Sequence, residues 1–204
     1  MANICIIDYG SGNLRSVQKA FEHVAKGNVK VTSNAADLAL ASHIVLPGVG
    51  AFGDCIAGLK AIPGMIESLE KEVLQNKKPF LGICVGMQLL AEHGHEYGTH
   101  AGLGWIKGEV KRIETAPELP IPHMGWNELE FKTPHKLTKG VAKDVYFVHS
   151  YCFNAKNPAD VIATTNYGTE ITAIIARDNV MGVQFHPEKS QQAGLVLLRN
   201  FLTI

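Results

Sequence analysis

The chain has 204 residues, which is enough for one well-buried domain and too few to require two. Its 19 basic and 19 acidic residues cancel, so no overall charge favours nucleic acid or an acidic membrane as a partner. No apolar run approaches the roughly 18 residues of a membrane span. We therefore expect one domain over residues 1–204, with neither a nucleic-acid nor a membrane partner.

In the first hundred residues, predicted strands alternate with predicted helices, which favours a parallel sheet with helices on both faces. The strands cover residues 3–8, 29–32, 43–46 and a segment beginning at Pro79, and the helices cover 14–26, 37–40, 62–76 and a run after Gly86 through residue 92. Strands then predominate, over 105–113, 125–131, 145–153, 161–167, 171–177 and 180–185, before a last helix over 191–202. We expect an α/β fold with three layers, namely a doubly wound, mixed and mainly parallel sheet with an antiparallel extension.

The N-terminus and the cysteines indicate the compartment. Residues 1–8 lack the basic stretch and the cleavage site of a signal peptide, so they are assigned to the first strand. The four cysteines lie far apart, and none forms the Cys-x-x-Cys spacing of a zinc or redox site. A reducing, cytoplasmic setting is the resulting prediction.

The segment Gly82-Ile83-Cys84-Val85-Gly86 has the layout of a nucleophile elbow, in which a strand turns sharply into a helix with a reactive side chain at the tip. Glycines two residues either side of Cys84 leave room for the tight turn and for close backbone approach. A helix N-terminus behind Cys84 would favour the thiolate, which is the attacking form. The alternative is a small buried cysteine in an ordinary strand-to-helix turn.

A cysteine nucleophile needs a nearby base and a group that orients this base. His186 follows a strand and precedes Pro187 and Glu188, and in an extended segment positions 186 and 188 point to the same side. Glu188 would then fix the tautomer of His186, as in a catalytic triad with cysteine in place of serine. The alternative is a histidine at a strand end beside a solvated glutamate.

The remaining histidines are weaker candidates. His149 lacks an acid two residues away, so it ranks second as the base and its segment is assigned to substrate contact. His93, His95 and His100 would be candidate metal ligands, but their polar, glycine-containing surroundings are typical of a solvated loop. We therefore expect no metal site.

Acyl transfer also requires donors for the oxyanion of the tetrahedral intermediate. The first candidate is the amide of Val85, directly after the nucleophile, and the second is expected in residues 47–50, at the carboxyl end of the preceding strand. Residues 48–53 also match the Gly-x-Gly-x-x-Gly spacing of a dinucleotide-binding loop. That motif requires an acid closing a second strand about 20 residues on, where this chain has a Lys/Glu-rich helix.

Together these segments resemble the class I, triad-type glutamine amidotransferase family. The matching segments are residues 47–50, 82–88 and 186–188, in this order. Residues 8–16, 47–53, 123–127, 146–151 and 186–190 are similar to signatures of the glutaminase subunits of imidazole glycerol phosphate synthase, which act in histidine biosynthesis. The resemblance runs from near residue 4 to the C-terminus, and no departure touches the triad.

This resemblance implies that the chain hydrolyses L-glutamine to glutamate and ammonia without a cofactor or metal. Cys84 would attack the side-chain amide, His186 would protonate the departing ammonia, and Glu188 would orient His186. The oxyanion residues implied are Val49, Gly50 and Val85. The glutamine contacts implied are Gly48, Gln88, Glu96, His149, Ser150 and Tyr151.

The resemblance also implies a partner, a cyclase subunit with a (β/α)8 barrel, in a heterodimer. This partner would use the ammonia to make imidazole glycerol phosphate and an aminoimidazole ribotide. Asn13, Trp126, Tyr146 and Lys189 match motif positions near that interface, the alternative being a core aromatic residue or a solvated lysine. Because an uncoupled glutaminase wastes glutamine, we expect the isolated chain to be nearly inactive until the partner reorients the Val49 peptide.

Three other functions stay open from the sequence. A glutaminase subunit of pyridoxal phosphate synthase would keep the chemistry and change the partner, although residues 8–16 argue against it. A catalytically idle cysteine-elbow domain would act as a scaffold or in a stress response. A nucleotide-binding enzyme would use residues 48–53.

Overall fold

The computed structural model describes residues 2–204. The strands are β1 (Asn3–Ile7), β2 (Asn28–Thr32), β3 (His43–Gly48), β4 (Phe80–Cys84), β5 (His93–Gly94), β6 (His100–Ala101), β7 (Gly108–Arg112), β8 (His123–Glu128), β9 (Glu130–Phe131), β10 (Asp144–His149), β11 (Tyr151–Ala155), β12 (Val161–Asn166), β13 (Glu170–Arg177) and β14 (Val180–Val183). The α-helices are α1 (Leu14–Val24), α2 (Phe52–Ala61), α3 (Met65–Leu69), α4 (Val85–Gln88) and α5 (Gln191–Phe201). Short 3-10 helices cover Ala35–Leu40, Lys136–Thr138, Pro158–Asp160 and Pro187–Lys189, and a π-helical turn covers Glu70–Gln75.

The main sheet has eight strands in the order β2-β1-β3-β4-β14-β13-β12-β9. The first five strands of this order run parallel to one another, and the pairings of β14 with β13, β13 with β12 and β12 with β9 are antiparallel. A two-stranded ribbon of β8 and β10, and a smaller sheet in the order β11-β7-β5-β6, lie outside the main sheet. The predicted α/β class, with a mainly parallel sheet and an antiparallel extension, is confirmed.

The winding of the sheet explains its layers. The connection from β1 to β2 runs one way along the sheet, and the connection from β3 to β4 runs the other way. Because parallel crossovers are almost always right-handed, helices in these two connections lie on opposite faces. α1 packs against α5, whereas α2 packs against α3 and α4. Two helical layers therefore enclose the sheet, as expected.

The core follows from the composition of the central strands. β3 and β4 are buried along their whole length and are mostly apolar, as parallel strands covered on both faces must be. On one face of the sheet, Phe21 of α1 meets Phe201 of α5 edge to face, with ring centroids 6.2 Å apart. Apolar burial of this kind is the main favourable term in folding. It also makes the central strands a rigid platform for the loops at their ends.

The structure corrects several predicted boundaries. The strand predicted to end at residue 46 continues through Gly48, and the helix predicted to reach 26 ends at Val24. The predicted helix over 62–76 is divided into α3 and the π-helical turn. The helix after the elbow, predicted to run through residue 92, ends at Gln88. Beyond it, backbone groups of residues 89–92 bond to the distant segment 102–108, so tertiary hydrogen bonds replace the helical ones.

α2 is a helix that the sequence pattern did not predict. Four of its residues at helical spacing are buried, namely Phe52, Cys55, Ile56 and Leu59. The signal was present, but Gly53 and Gly58 lower helix propensity and the preceding glycines favoured a loop. Gly58 is required by packing, since a Cβ there would lie 2.8 Å from the carbonyl oxygen of Tyr9.

Three further predictions in the second half were wrong in detail. The single strand predicted over 125–131 is divided between β8, in the ribbon, and β9, at the edge of the main sheet. The single strand predicted over 145–153 is two strands, with β10 pairing to β8 and β11 pairing to β7 in another sheet. An apolar run carries no information about the residue at which the pairing partner changes. The solvated loop predicted around residues 93–100 contains the short strands β5 and β6, which pair with each other.

The elbow at the end of β4 is strained. Cys84 has φ 55° and ψ −114°, a conformation that side-chain-bearing residues rarely adopt. A Cβ on Gly86 would lie 1.8 Å from the carbonyl oxygen of Leu46, and one on Gly82 would lie 2.4 Å from the carbonyl oxygen of Gly86. Glycines two residues either side of Cys84 are therefore required, because the backbones pack too closely for any side chain.

This strain predicts the order of stability of two variants that both lack the sulfur. Cys84→Gly should have a higher free energy of unfolding than Cys84→Ala by about 0.5–2 kcal/mol, because glycine adopts positive φ without the steric penalty. Denaturant unfolding measures the difference. At Ala173, a buried residue of β13, the Gly replacement should instead lower stability by about 0.5–1 kcal/mol. Equal stability of the two variants at position 84 would contradict a strained elbow.

Candidate active site

Three parallel strands bring the predicted nucleophile and base to one edge of the sheet. β4 lies between β3 and β14, with Cys84 opposite Gly48 and Ile83 opposite Val183. Carboxyl ends of parallel strands meet at one edge, where open α/β sheets place their sites. The loop after β3, the tip of β4 and the segment after β14 therefore converge around Cys84.

His186 and Glu188 form the expected pair, although through a different backbone geometry. Nδ1 of His186 donates to Oε1 of Glu188 at 2.8 Å, and both side chains are almost completely buried. Residue 186 is extended, but Pro187–Lys189 form a 3-10 turn. This turn, rather than the predicted extended segment, brings the carboxylate back to the ring.

The surroundings of His186 favour its protonated form. Burial alone would lower the pKa of His186, but the side chains of Cys84 and Glu188 together raise it to about 10. Nε2 of His186 is buried and has no hydrogen-bond partner among residues 2–204. Catalytic hydrogen bonds in ligand-free sites are often long and tighten when substrate binds.

The sulfur of Cys84 has two polar neighbours besides the imidazole. The carbonyl oxygen of Val148, 3.9 Å away, accepts from the thiol, and Nε2 of Gln184, 3.7 Å away, donates to the sulfur. Sequence analysis assigned no role to Gln184. The available signal was an amide side chain at the end of an otherwise apolar strand.

Ser190 fixes the turn that carries His186, and sequence analysis gave it no individual role. The Ser190 hydroxyl donates to the carbonyl oxygen of His186 at 2.6 Å and accepts from the amide of Tyr146 at 3.0 Å. The amide of His186 in turn donates to the carbonyl oxygen of Tyr146 at 2.9 Å. The histidine turn is therefore attached to β10.

His149, the second-ranked base, has both ring nitrogens engaged elsewhere. Nδ1 donates to the carbonyl oxygen of Tyr151 at 2.9 Å, so Nε2 is left as the acceptor for Nδ1 of His123 at 3.0 Å. Burial lowers the pKa of His149 to about 3, which keeps the ring neutral. No nitrogen of His149 is free to take the proton of Cys84.

His123 continues this chain of neutral rings, and sequence analysis missed its role. It is stacked between Phe147 and Tyr167, with ring centroids 4.7 Å and 4.1 Å away. Burial lowers the pKa of His123 to about 4, and its Nε2 accepts from Nδ2 of Asn127 at 3.1 Å. These hydrogen-bonded rings hold the segment after β10 in one geometry.

A cavity of about 280 Å³ opens beside Cys84. It is lined by all three predicted oxyanion residues and by every predicted glutamine contact except Gly48. Gly48 lies against Tyr9, whose hydroxyl oxygen would be 2.4 Å from a Cβ at that position. A larger open groove of about 600 Å³ over residues 131–139 is lined by three lysines and contains neither cysteine nor carboxylate.

The start of α2 is already occupied by a carboxylate. Oε2 of Glu96 accepts from the amide of Phe52 at 2.8 Å. A phosphate at this helix N-terminus would meet that negative charge, and β4 ends in cysteine instead of the acid that a dinucleotide site requires. Both observations argue against nucleotide binding at residues 48–53.

The peptide of Val49, in the loop after β3, is hydrogen-bonded to Ser11 although the residue itself lines the cavity. The amide of Val49 donates to Oγ of Ser11 at 3.3 Å, and the Ser11 hydroxyl donates to the carbonyl oxygen of Val49. Ser11 does not line the cavity. Gly50, with φ 105°, supplies the unusual backbone conformation next to this peptide. Val85, the other predicted donor, begins α4 directly after Cys84.

Three of the four residues predicted near a partner form one cluster. Trp126 and Tyr146 face each other across the ribbon of β8 and β10, edge to face at 6.0 Å. Nζ of Lys189 lies 5.7 Å above the Tyr146 ring, and Lys189 also lines the cavity. Trp126 is 49% exposed and Met124 beside it is 60% exposed. Asn13 lies on the loop after β1, at the same edge of the sheet.

Residues 2–204, which the structure describes, hold neither a metal-ligand cluster nor a membrane-spanning helix. No group of three or more His, Cys, Asp or Glu side chains in this part of the chain has a geometry that would hold a metal ion. His95 lies beside Thr99 and Glu109, and His100 contacts the carbonyl oxygen of Glu96. Within the same residues, none of the helices has the length and apolar character needed to cross a membrane.

Comparison with known proteins relates the chain to one family. Residues 5–204 match the family model for glutamine amidotransferase class-I. Over 205 residues the chain is 51% identical to imidazole glycerol phosphate synthase subunit HisH of Zymomonas mobilis subsp. mobilis, covering 98% of this chain and 95% of that one. It is 52% identical over 208 residues to subunit HisH of Rhodospirillum rubrum, and the alignment covers 98% of this chain and 97% of that one. A solved structure of a glutamine amidotransferase aligns at TM-score 0.76 with 19% identity over 98% of this chain and 97% of that one, a likeness of fold.

The low pKa values of His123 and His149 predict how stability depends on pH. Both rings stay neutral in the folded chain, whereas the unfolded chain binds protons with an ordinary histidine pKa of about 6.5. Between about pH 6.5 and 4 the unfolded state binds more protons, so the free energy of unfolding falls as the pH is lowered. Replacing one of these histidines should make this pH dependence less steep.

The variant His123→Phe tests this, because it keeps an aromatic ring in the stack and removes one titrating group. We expect a loss of about 1–3 kcal/mol from the unpaired Nε2 of His149, together with a smaller slope of unfolding free energy between pH 6.5 and 4. Val145→Ala, on the same ribbon, should lose stability with an unchanged slope. An unchanged slope in His123→Phe would show that the ring is not held neutral.

Proposed function

The chain belongs to the class-I glutamine amidotransferase family and to its imidazole glycerol phosphate synthase HisH subunits, and on this premise we propose that Cys84, His186 and Glu188 are its catalytic triad. Membership makes the chain a glutaminase subunit that hydrolyses L-glutamine to glutamate and ammonia in histidine biosynthesis. The main support for this triad is the position of the Cys84 sulfur, which lies beside a cavity and next to the buried, hydrogen-bonded pair of His186 and Glu188.

The first half of the reaction transfers the glutamyl group to sulfur. The thiol proton of Cys84 passes to Nε2 of His186, and the thiolate attacks the carbonyl carbon of the glutamine side chain. The C–N bond of the tetrahedral intermediate then breaks as the imidazolium returns its proton to the leaving nitrogen. Ammonia departs and a thioester remains, in keeping with the general logic of catalytic triads.

The second half releases glutamate, and the charges around His186 support its change of role. While Cys84 is free, its side chain helps to raise the pKa of His186, which favours an imidazolium able to act as an acid. Acylation removes that contribution and lowers the pKa of His186, so more of the imidazole is neutral and can accept a proton from the attacking water. Water attacks the thioester, the sulfur leaves with the proton held by His186, and Glu188 keeps the ring oriented throughout.

The oxyanion donors are proposed to be the amides of Val85 and the Val49–Gly50 loop. In the present conformation the Val49 amide donates to Ser11, which lies outside the cavity. Reorientation of the Val49 peptide would direct this donor toward the tetrahedral oxygen, a type of contact that commonly contributes about 3–4 kcal/mol. The requirement for this change supports a partner that triggers it.

The glutamine contacts are proposed to be Gln88, Glu96, Gly48 and the segment 149–151. Both amide protons of Gln88 are engaged, by the carbonyl oxygen of Tyr151 and by Gln184, so its Oε1 is left to accept from the substrate. The carboxylate of Glu96 lines the same cavity and would suit the α-ammonium group. Gly48 acts through the shape of the loop, because it does not line the cavity itself.

The ammonia is used by a cyclase partner, since members of this family are subunits of a synthase. We infer that this partner is a (β/α)8 barrel in a heterodimer, and that it makes imidazole glycerol phosphate and an aminoimidazole ribotide. The exposed Trp126, together with Tyr146, Lys189 and Asn13, supports an interface at the edge of the sheet that carries the cavity. Ammonia released there would reach the partner without crossing bulk water, where it is mostly protonated.

The remaining proposals concern the domain organisation and the cellular location of the chain. We infer that residues 1–204 are one glutamine amidotransferase domain, which is supported by the family match over residues 5–204 and by one core cluster running from Ile4 to Phe201. A cytoplasmic location without membrane or nucleic-acid partners is supported by the balanced charge and the absence of paired cysteines among the described residues.

The nucleophile is tested with Cys84→Ala in complex with the cyclase. Synthesis supported by glutamine should be lost, because no sulfur remains to form the thioester, while synthesis supported by added ammonium salts should persist. Both rates are measured on the same preparation, so the ammonium reaction is the control for folding and assembly. Glutamine turnover that survives the substitution would remove Cys84 from the mechanism.

The oxyanion loop is tested with Ser11→Ala in the chain without its partner. The unsubstituted chain alone should hydrolyse glutamine very slowly. Ser11→Ala should raise that rate by about 2- to 10-fold, because the Val49 peptide loses the hydrogen-bonding partner that occupies its amide and carbonyl groups. Ser42→Ala, which loses similar backbone contacts at the opposite edge of the sheet, should have no effect. Full activity of the unsubstituted chain alone would refute the need for a trigger.

A further inference from the structure

Gln184 is a buried amide that the mechanism above does not use. It follows β14 directly, has no exposed surface and lies between Gln88 and the sulfur of Cys84. Its backbone amide is already paired with the carbonyl oxygen of Ala173 at 2.8 Å, so the main chain fixes its position. A polar side chain this deep in an apolar sheet is costly unless each end has a partner.

The orientation of this amide is fixed by one backbone carbonyl. The carbonyl oxygen of Tyr151 can only accept, so the nitrogen of Gln88 must face it, at 3.0 Å. The second proton of that nitrogen goes to Oε1 of Gln184 at 3.1 Å. The oxygen of Gln184 is therefore turned toward Gln88, and its Nε2 must face the sulfur of Cys84, at 3.7 Å.

The two contacts of the sulfur respond differently to charge. The carbonyl oxygen of Val148 suits the thiol, because it accepts the S–H proton, but it repels a thiolate. The N–H of Gln184 stabilises the thiolate, because it donates to the negative sulfur. This donor needs no reorientation when the charge appears, which is the property that makes preorganised donors effective in catalysis.

We propose that Gln184 is a further catalytic residue of this glutaminase, donating a hydrogen bond to the Cys84 sulfur when that sulfur is negatively charged. The proposal rests on the glutaminase mechanism described above. The donor acts once before attack on the amide, and again when the thioester C–S bond breaks and the electron pair returns to sulfur. Gln88 has a second role here, since it positions the amide of Gln184 as well as accepting from the substrate.

The test uses Gln184→Met in the complex with the cyclase, because methionine has a similar length and no donor. The rate at which iodoacetamide alkylates Cys84 is followed against pH by peptide mass spectrometry, with the buried Cys5 as an internal reference. The midpoint of this profile should rise by about one pH unit or more, and kcat for glutamine should fall about 10- to 100-fold with little change in KM. Ammonium-supported synthesis should be unchanged.

Two controls separate this role from a structural one. Gln192→Met, on the exposed surface of α5, should behave as the unsubstituted chain does. Gln184→Glu keeps the shape and puts a carboxylate against the sulfur, so its alkylation midpoint should rise further than that of Gln184→Met. If Gln184→Met does not assemble with the cyclase, Gln184→Glu alone tests whether residue 184 stabilises the Cys84 thiolate.

The outcomes distinguish this inference from the mechanism it builds on. If Cys84→Ala abolishes glutamine use but Gln184→Met or Gln184→Glu keeps the original alkylation profile, Gln184 has no role in stabilising the thiolate and only this inference fails. If Cys84→Ala retains glutamine use, the mechanism itself fails. A loss of ammonium-supported synthesis in both Gln184 variants would show that the residue is structural, which also overturns the inference.

Discussion

The carbonyl oxygen of Tyr151 fixes the orientation of the polar side chains around the candidate active site. It accepts two hydrogen bonds, from Nε2 of Gln88 and from Nδ1 of His149. Because a carbonyl oxygen cannot donate, both side chains have only one orientation available. Each of them in turn fixes the orientation of the side chain to which it is hydrogen-bonded. Gln88 sets the amide of Gln184 that faces the sulfur, and His149 sets the ring of His123. The chain changes pairing partner between β10 and β11, and this change places the Tyr151 carbonyl oxygen where it fixes the donors and acceptors on both sides of the cavity.

The parallel sheet supplies the other half of the geometry. β4 carries Cys84 between β3, which leads to the Val49 loop, and β14, which leads to His186. The positions of Cys84, the Val49 loop and His186 therefore depend on strand register, and a slip of one residue would turn Cys84 to the opposite face. Burial of these strands makes such a slip costly, because it would expose the apolar residues on either side. Rigid packing also supports the strained backbone at Cys84, which no local interaction would maintain alone.

The sequence was sufficient for the parts of the site that follow from local patterns. The elbow at Cys84, the pair of His186 and Glu188, and the alternation of strands and helices could all be predicted, since each is expressed in neighbouring residues. The orientation of Gln184 could not, because it depends on a carbonyl from another sheet. The helix beginning at Phe52 was missed because its glycines lower helix propensity, although the small size of Gly58 serves packing against Tyr9 in the loop after the first strand. Distant contacts, rather than weak local signals, account for what the sequence did not reveal.

The central claim is that one sulfur, activated by its buried neighbours, attacks the side-chain amide of glutamine. The most direct measurement is covalent labelling of the chain, in complex with its cyclase, by a diazo-ketone analogue of glutamine, followed by mass spectrometry of its peptides. The account predicts one label per chain, on Cys84, and none on the buried Cys5, Cys55 or Cys152. A chain that remains unlabelled at Cys84, or that carries the label on another cysteine, would contradict it.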